Sequence, residues 1–180
     1  IDAGADVNLS ASAGPEISPL LHCIRYGLKG LALRLIDAGA DVNAVGPGGQ
    51  TPLVVSCQEG PSMEVVSARL VDAGAAVNVK PDVGDPPLGI TVCNFDLPAL
   101  CLRLIDAGAD VNVRTENGTH LLMFALSRGG SMLPVAHRML AAGADVNAPC
   151  ALVGDTSMLT VTIRNFGLAA EALAMIDAGA

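Results

Sequence analysis

Residues Ile36–Asn43 read IDAGADVN, and the chain returns to that phrase throughout its length. The same eight residues stand at Ile1–Asn8 and Ile105–Asn112, close variants stand at Val71–Asn78 (VDAGAAVN) and Leu140–Asn147 (LAAGADVN), and Ile176–Ala180 begins it again as IDAGA. Successive starts are separated by 35, 35, 34, 35 and 36 residues. Self-similarity at a fixed period of this size marks a stacked repeat architecture. Each unit then touches mainly its neighbours, and no single central core is needed.

Working outward from Ile36–Asn43, the segment Ser18–Asn43 reads as one unit, SPLLHCIRYGLKGLALRLIDAGADVN. Ser18 is a good N-cap, and Pro19 at the first helical position sacrifices an N–H that a helix leaves unbonded anyway. Leu20, Leu21, Cys23 and Ile24 follow at helical spacing, and Gly27 ends this short helix. A second helix is predicted over about Leu31 to Ala38, with Leu31, Leu35 and Ile36 as its apolar stripe. Gly39 stands where a helix takes a left-handed exit residue, a conformation glycine adopts without Cβ strain. Ala44-Val45-Gly46-Pro47-Gly48-Gly49 then reads as a reversing loop.

This unit resembles an ankyrin repeat, whose marks are T-P-L-H at the first helix and L-L-x-x-G-A-D-V-N at the end of the second. Thr51-Pro52-Leu53 matches the first mark well, while Ser18-Pro19-Leu20, Pro86-Pro87-Leu88, His120-Leu121-Leu122 and Thr156-Ser157-Met158 match it progressively less. The resemblance covers essentially the whole chain. It implies an all-α array of helix-turn-helix units joined by β-hairpin-like loops: a partial unit 1–8, then units at about 9–43, 44–78, 79–112, 113–147 and 148–180. The chain opens and closes within a unit, and Leu168–Ala180 is apolar where a terminal cap would be polar. The expectation is therefore a segment cut at both ends from a longer chain.

The sequence departs from the family in two ways. The histidine that follows Pro-Leu is replaced in every unit, by Leu21, Val54, Gly89, Met123 and Leu159. Register is therefore expected to rest on packing alone. The period also exceeds the family's roughly 33 residues; the extra length is assigned to Pro15-Glu16, Pro61-Ser62-Met63, Leu97-Pro98 and Ser131–Pro134, all read as loops. Arg34, Arg69 and Arg103 each stand three residues before an aspartate (Asp37, Asp72, Asp106), a spacing that suggests ion pairs along one helix face worth a few tenths of a kcal/mol. Arg138 holds the same slot, opposite Ala141.

Composition narrows the function. The formal charge is −8, but nine of the 18 acidic residues (Asp2, Asp6, Asp37, Asp41, Asp72, Asp106, Asp110, Asp145 and Asp177) belong to the repeated phrase. No lysine- and arginine-rich face of the kind nucleic acid requires is visible. No apolar run reaches the roughly 18 residues of a membrane span, and no signal segment is visible at the first residue. The five cysteines, Cys23, Cys57, Cys93, Cys101 and Cys150, lack paired spacing and read as small buried apolar residues in a reducing compartment, cytoplasmic or nuclear.

Catalytic patterns do not assemble. His22, His120 and His137 fall at three different repeat positions, and neither a cysteine framework nor a second histidine stands at metal-ligand spacing from them. His22 beside Cys23, a unit away from Cys57, reads as a packed or surface histidine. Gly46-Pro47-Gly48-Gly49 lacks the Lys-Ser/Thr of a phosphate loop, and no Gly-x-Ser-x-Gly elbow occurs. No catalytic residue, cofactor or metal ligand is expected.

A surface remains. The ankyrin resemblance implies that a protein partner, of identity the residues do not specify, sits on the concave face made by first-helix ends and loop tips. Mapped onto this chain, the helix set is Arg25, Tyr26, Gln58, Glu59, Asn94, Ser127, Arg128, Arg164 and Asn165. The loop set is Pro47, Gly48, Gln50, Asp82, Val83, Asp85, Glu116, Asn117 and Thr119. These positions vary between units while the scaffold positions do not. The expected role is a monomeric, non-catalytic protein-interaction module. The alternatives are a substrate-recruiting segment of a larger enzyme, such as a kinase or ubiquitin ligase, and a structural spacer without a specific ligand.

Overall fold

The computed structural model describes residues 6–8, 17–115, 118–148, 157–166 and 168–180. They form an all-helical chain, α1 (Pro19–Arg25), α2 (Lys29–Asp37), α3 (Pro52–Gln58), α4 (Glu64–Asp72), α5 (Pro87–Ile90), α6 (Pro98–Asp106), α7 (Leu121–Arg128), α8 (Leu133–Ala141), α9 (Met158–Val161) and α10 (Ala169–Asp177). Among the described residues there are no strands, only isolated bridges pairing Gly46 with Gln50 and Arg114 with His120. None of the described helices is long and apolar enough to cross a membrane.

Local chemistry explains the starts and stops. Ser18, Thr51 and Ser157 each accept an amide hydrogen bond three residues on, capping α1, α3 and α9. Gly39, Gly74, Gly108 and Gly143 take φ of +82°, +85°, +87° and +85°, the left-handed exits predicted for them. The second helix of the first unit begins at Lys29, earlier than the apolar stripe alone indicated.

The helices pack in two rows. The first helices of successive units lie against one another, α1 on α3 and α3 on α5, and α7 continues the row. The second helices do likewise, α2 on α4, α4 on α6, α6 on α8 and α8 on α10. Leu20, Leu53, Leu88 and Leu122 occupy one buried position of the first row, and Leu70, Leu104, Met139 and Met175 occupy one of the second. Small residues fill the place where each second helix crosses its first: Ala32, Ser67, Cys101, Ala136 and Ala172 are all buried. Small side chains at a crossing let helix axes approach closely.

The extra residues of the longer units are structured rather than looped. In the second and fourth units they form 3₁₀ turns, Gly60–Met63 and Gly130–Met132. In the third and fifth units one added residue widens the first helix into a π segment, Thr91–Phe95 and Thr162–Phe166. A threonine opens each π segment and bonds back to the preceding turn, Thr91 Oγ1 to the Pro87 and Leu88 carbonyls at 3.1 and 3.0 Å and Thr162 Oγ1 to the Met158 carbonyl at 2.9 Å. The assignment of Pro15-Glu16 lies outside the described residues.

Register does not rest on packing alone. The phrase-ending asparagines reach into the next unit, four of them with both ends of the carboxamide. Asn78 Nδ2 donates to the Gly108 carbonyl at 3.0 Å, and Asn78 Oδ1 accepts the Asp110 amide at 2.8 Å. Asn8, Asn43 and Asn112 repeat both bonds, to Gly39 and Asp41, Gly74 and Ala76, and Gly143 and Asp145. Asn147 Nδ2 reaches the Gly179 carbonyl. The aspartate two residues earlier sets the asparagine's orientation: Asp41, Asp110 and Asp145 accept the amides of Asn43, Asn112 and Asn147 at 2.9, 2.8 and 3.0 Å. These bonds supply register that was expected to rest on apolar contacts.

The arginines also bridge units rather than turns. Arg69 pairs with Asp37 at 2.6 Å, Arg103 with Asp72 at 2.8 Å and Arg138 with Asp106 at 2.8 Å. The same-helix pairing inferred from the three-residue spacing is thus corrected for Arg69 and Arg103. Stacking brings each arginine beside the previous unit's aspartate, and Arg138 is served as well as the others.

Candidate functional site: a cleft across three units

The first-helix ends and the loops share one side of the stack, and there three successive units enclose an open cleft of about 400 Å³. Gln58 enters from the end of α3. Gly84, Asp85, Ile90, Cys93 and Asn94 line it from the third unit, and Thr115 and Phe124 close it from the fourth.

Local folding explains each placement. Ile90, Cys93 and Asn94 fall on one face because the π segment continues from α5 with helical spacing. The third unit also has a glycine, Gly89, where its neighbours carry Leu21, Val54, Met123 and Leu159. A Cβ at Gly89 would stand 2.9 Å from Asp85 Cβ, closer than real side chains come. The missing side chain lets Asp85 settle against α5, at the mouth of the cleft.

Ile90 and Phe124 line the cleft with apolar side chains, and Gln58, Asp85, Asn94 and Thr115 line it with polar ones. Ile90 is buried and Phe124 half-buried, whereas Gln58 and Asn94 are exposed. Neither carboxamide makes a hydrogen bond among the described residues. Arg128 donates from its guanidinium to the Cys93 carbonyl, tying the fourth unit to the third beside the cleft. Burial pushes the Cys93 thiol up to about 12, with Asp85 adding to the shift and Arg128 opposing it. It is a neutral, unreactive thiol at physiological pH. Cys57 and Cys101, deeper in the stack, are raised by burial to about 12 and about 11. The described cysteines Cys23, Cys57, Cys93 and Cys101 are unpaired.

The structure sorts the expected surface residues. Gln58, Asp85 and Asn94 converge on the cleft, and Arg128 and Glu59 flank it. Arg25 and Tyr26 are exposed on the first unit, where Tyr26 packs its ring 4.9 Å from that of His22. Ser127 is exposed, and its hydroxyl is spent on the Phe124 carbonyl at 2.8 Å. Pro47, Gly48, Asp82 and Val83 are exposed at loop tips, and the Asp82 amide joins two of those loops by donating to the Gly48 carbonyl at 3.0 Å. Gln50 is only half-exposed, with Oε1 buried. Arg164 is exposed in the fifth unit, away from the cleft. Thr119 is a correction: it is 3 % exposed, and its backbone closes a turn with Thr115 rather than facing outward. Glu116, Asn117 and the side chain of Asn165 lie outside the described residues.

Sequence reasoning missed Cys93, Ile90, Phe124, Thr115 and Gly84. Three of these were countable. Cys93 stands seven residues after its helix cap, as Arg25, Gln58, Ser127 and Arg164 do. Ile90 and Phe124 stand four after theirs. Gly84 and Thr115 belong to loops whose course the repeat pattern does not specify.

Two further groups stand apart. His120 is buried at the start of α7, with Nε2 lacking a hydrogen-bond partner among the described residues. Burial lowers its pKa below the ordinary 6.5, Arg114 adds to this and Asp145 opposes it. At the junction of the fourth and fifth units the arginine–aspartate bridge is missing on both sides: Ala141 takes the aspartate slot and Ala174 the arginine slot. His137 faces the buried Glu171 there at 3.5 Å instead. Among the described residues no group of three or more His, Cys, Asp or Glu is placed to hold a metal ion.

No protein-family model matches the chain, and no curated protein matches it either.

Proposed function

We propose that the chain is an ankyrin-repeat array that serves as a non-catalytic protein-interaction module. Its partner sits on the face of first-helix ends and loop tips, centred on the cleft of the second to fourth units. The array acts as a monomer inside the cell, where its unpaired thiols stay reduced. One observation carries this reading. The residues that bolt unit to unit repeat along the chain, whereas Gln58 and Phe124, which line the cleft, differ from their counterparts in the other units. A scaffold held constant under a face that varies is how a repeat protein separates shape from recognition.

The test is affinity capture with the whole chain and with a Gln58→Ala, Glu59→Ala, Asn94→Ala variant of matched melting temperature. A protein retained by the parent in stoichiometric amount and lost from the variant supports the module. Identical captured sets from the two would favour a structural spacer.

A further inference from the structure

We propose that the outer face of the fifth unit is a second docking surface, and that it takes a partner's helix pair built like the pairs of this array. The second helix of that pair brings an aliphatic residue to the groove beside Leu173 and Ile176, and an arginine to Asp177. The cleft plays no part in this surface.

The face is apolar at places that the rest of the array covers. Ile163 and Leu173 are each more than half exposed, Ile176 about half, and with Ala169 and Ala172 they line an open groove of about 380 Å³. Their counterparts lie inside the stack. Ile24, Cys57, Val92 and Leu126 hold the place of Ile163 and are fully buried. Ile36, Ile105 and Leu140 hold that of Ile176 and are buried, and Val71 is half-buried there. The difference is the neighbour. On that side α2 is covered by α4, α4 by α6, α6 by α8 and α8 by α10, whereas α10 packs in this row on α8 alone. Large apolar side chains grouped on a surface mark an interaction site.

The covered junctions define what fits. The third residue of α4, α6 and α8 is aliphatic and fully buried: Val66, Leu100 and Val135. Leu31 has the same place in α2, where no described helix precedes it, and it is 45 % exposed. This residue therefore takes its burial from the unit before. Three positions on stands the arginine that reaches back to the previous aspartate, Arg69 to Asp37, Arg103 to Asp72 and Arg138 to Asp106. Residues at that spacing share one face of a helix. Asp177 holds the slot of Asp37, Asp72 and Asp106, and it is exposed, with no partner for its carboxylate among the described residues. The groove and the carboxylate thus present together the two features that each covered junction engages.

A second copy of this chain is a poor occupant. Arg69, Arg103 and Arg138 are bonded to their own aspartates, and Arg34 is engaged as well. None of these wall arginines is left for Asp177. The occupant is a helix pair whose arginine has no aspartate of its own.

The experiment joins a copy of residues 41–78 to the whole chain directly after Ala180, so that Asp41 of the copy follows Ala180 as Asp41 follows Ala40. Hydrogen exchange reads the result. The amides of α10 should exchange at least about tenfold more slowly than in the parent. Arg69→Ala in the copy, or Asp177→Ala, should return part of that gain, and Val66→Asp in the copy most of it. Asp177→Ala in the unextended chain should leave α10 exchange unchanged. Equal α10 exchange in the parent and extended chains would overturn the proposal, as would slowing that survives Val66→Asp and Arg69→Ala together. Sedimentation of the unextended chain tests the other occupant. A monomer is expected, and a dimer dispersed by the exposed substitution Leu173→Glu would assign the face to a second copy and overturn the proposal.

Discussion

Arg103 donates from its guanidinium to Asp72 at 2.8 Å, across the boundary between two units rather than along its own helix. Both side chains are about half exposed, at 52 % and 49 %. Exposed pairs of this kind are worth roughly 0.2–1 kcal/mol in double-mutant cycles. The same coupling is expected here between Arg103→Ala and Asp72→Ala in urea unfolding. Zero coupling would mean that the bridge only decorates the surface. The fourth junction provides the complementary measurement. Ala141→Asp with Ala174→Arg rebuilds the bridge where both partners are absent, and should slow hydrogen exchange in α10 relative to either single variant.

Asn78→Ala removes two bonds to the neighbouring unit at once, to the Gly108 carbonyl and from the Asp110 amide. At about 0.5–1.5 kcal/mol net for each bond, the expected loss is about 1–3 kcal/mol. Asn78→Asp keeps the acceptor and loses the donor, so it should fall between the parent and Asn78→Ala. Urea titration of the three proteins gives the order. If Asn78→Asp is as damaging as Asn78→Ala, the accepted bond contributes nothing.

The repeated phrase made the helix stops legible because a glycine exit is a local property. Gly39 and Gly108 need only their own backbone torsion to be understood. The same phrase concealed its second use. Asp37 and Arg34 are close in sequence, so a same-helix pair was the natural reading, yet Asp37 meets Arg69, 32 residues on. Only the translation from one unit to the next brings them together. Asn43 was hidden for the same reason, since an asparagine at a loop start looks like turn chemistry. At the cleft, Gln58 and Asn94 were found by counting from the helix caps. Thr119 was misplaced because loop residues carry no such count.

His120 gives the array an acid sensitivity. Burial, aided by Arg114, lowers its folded pKa below the ordinary 6.5. The unfolded chain then binds the proton more readily than the folded one. Stability from this group is fully present above about 6.5 and declines as pH falls from there to the folded value. His120→Gln removes the titration. The urea midpoint of the parent should drop more between pH 7.5 and 5.5 than that of His120→Gln. Equal drops would show that His120 takes up its proton as easily in the fold as out of it.

Arg128 was expected to serve binding alone, and its position changes that expectation. Its guanidinium donates to the Cys93 carbonyl, joining α7 to the π segment of the preceding unit beside the cleft. A hydrogen bond from a charged donor contributes about 1.5–3 kcal/mol, and an exposed one belongs at the low end of that range. Arg128→Ala should therefore lower stability by about 1.5 kcal/mol and slow partner association less than it speeds release, because the cleft wall loosens while Gln58 and Asn94 stay in place. Arg128→Lys keeps the charge but not the planar donor geometry and should recover part of the stability. Urea unfolding and surface-captured binding kinetics on the same variants separate the two effects. If Arg128→Ala melts with the parent yet loses binding, the guanidinium contacts the partner directly and the bond to Cys93 is incidental.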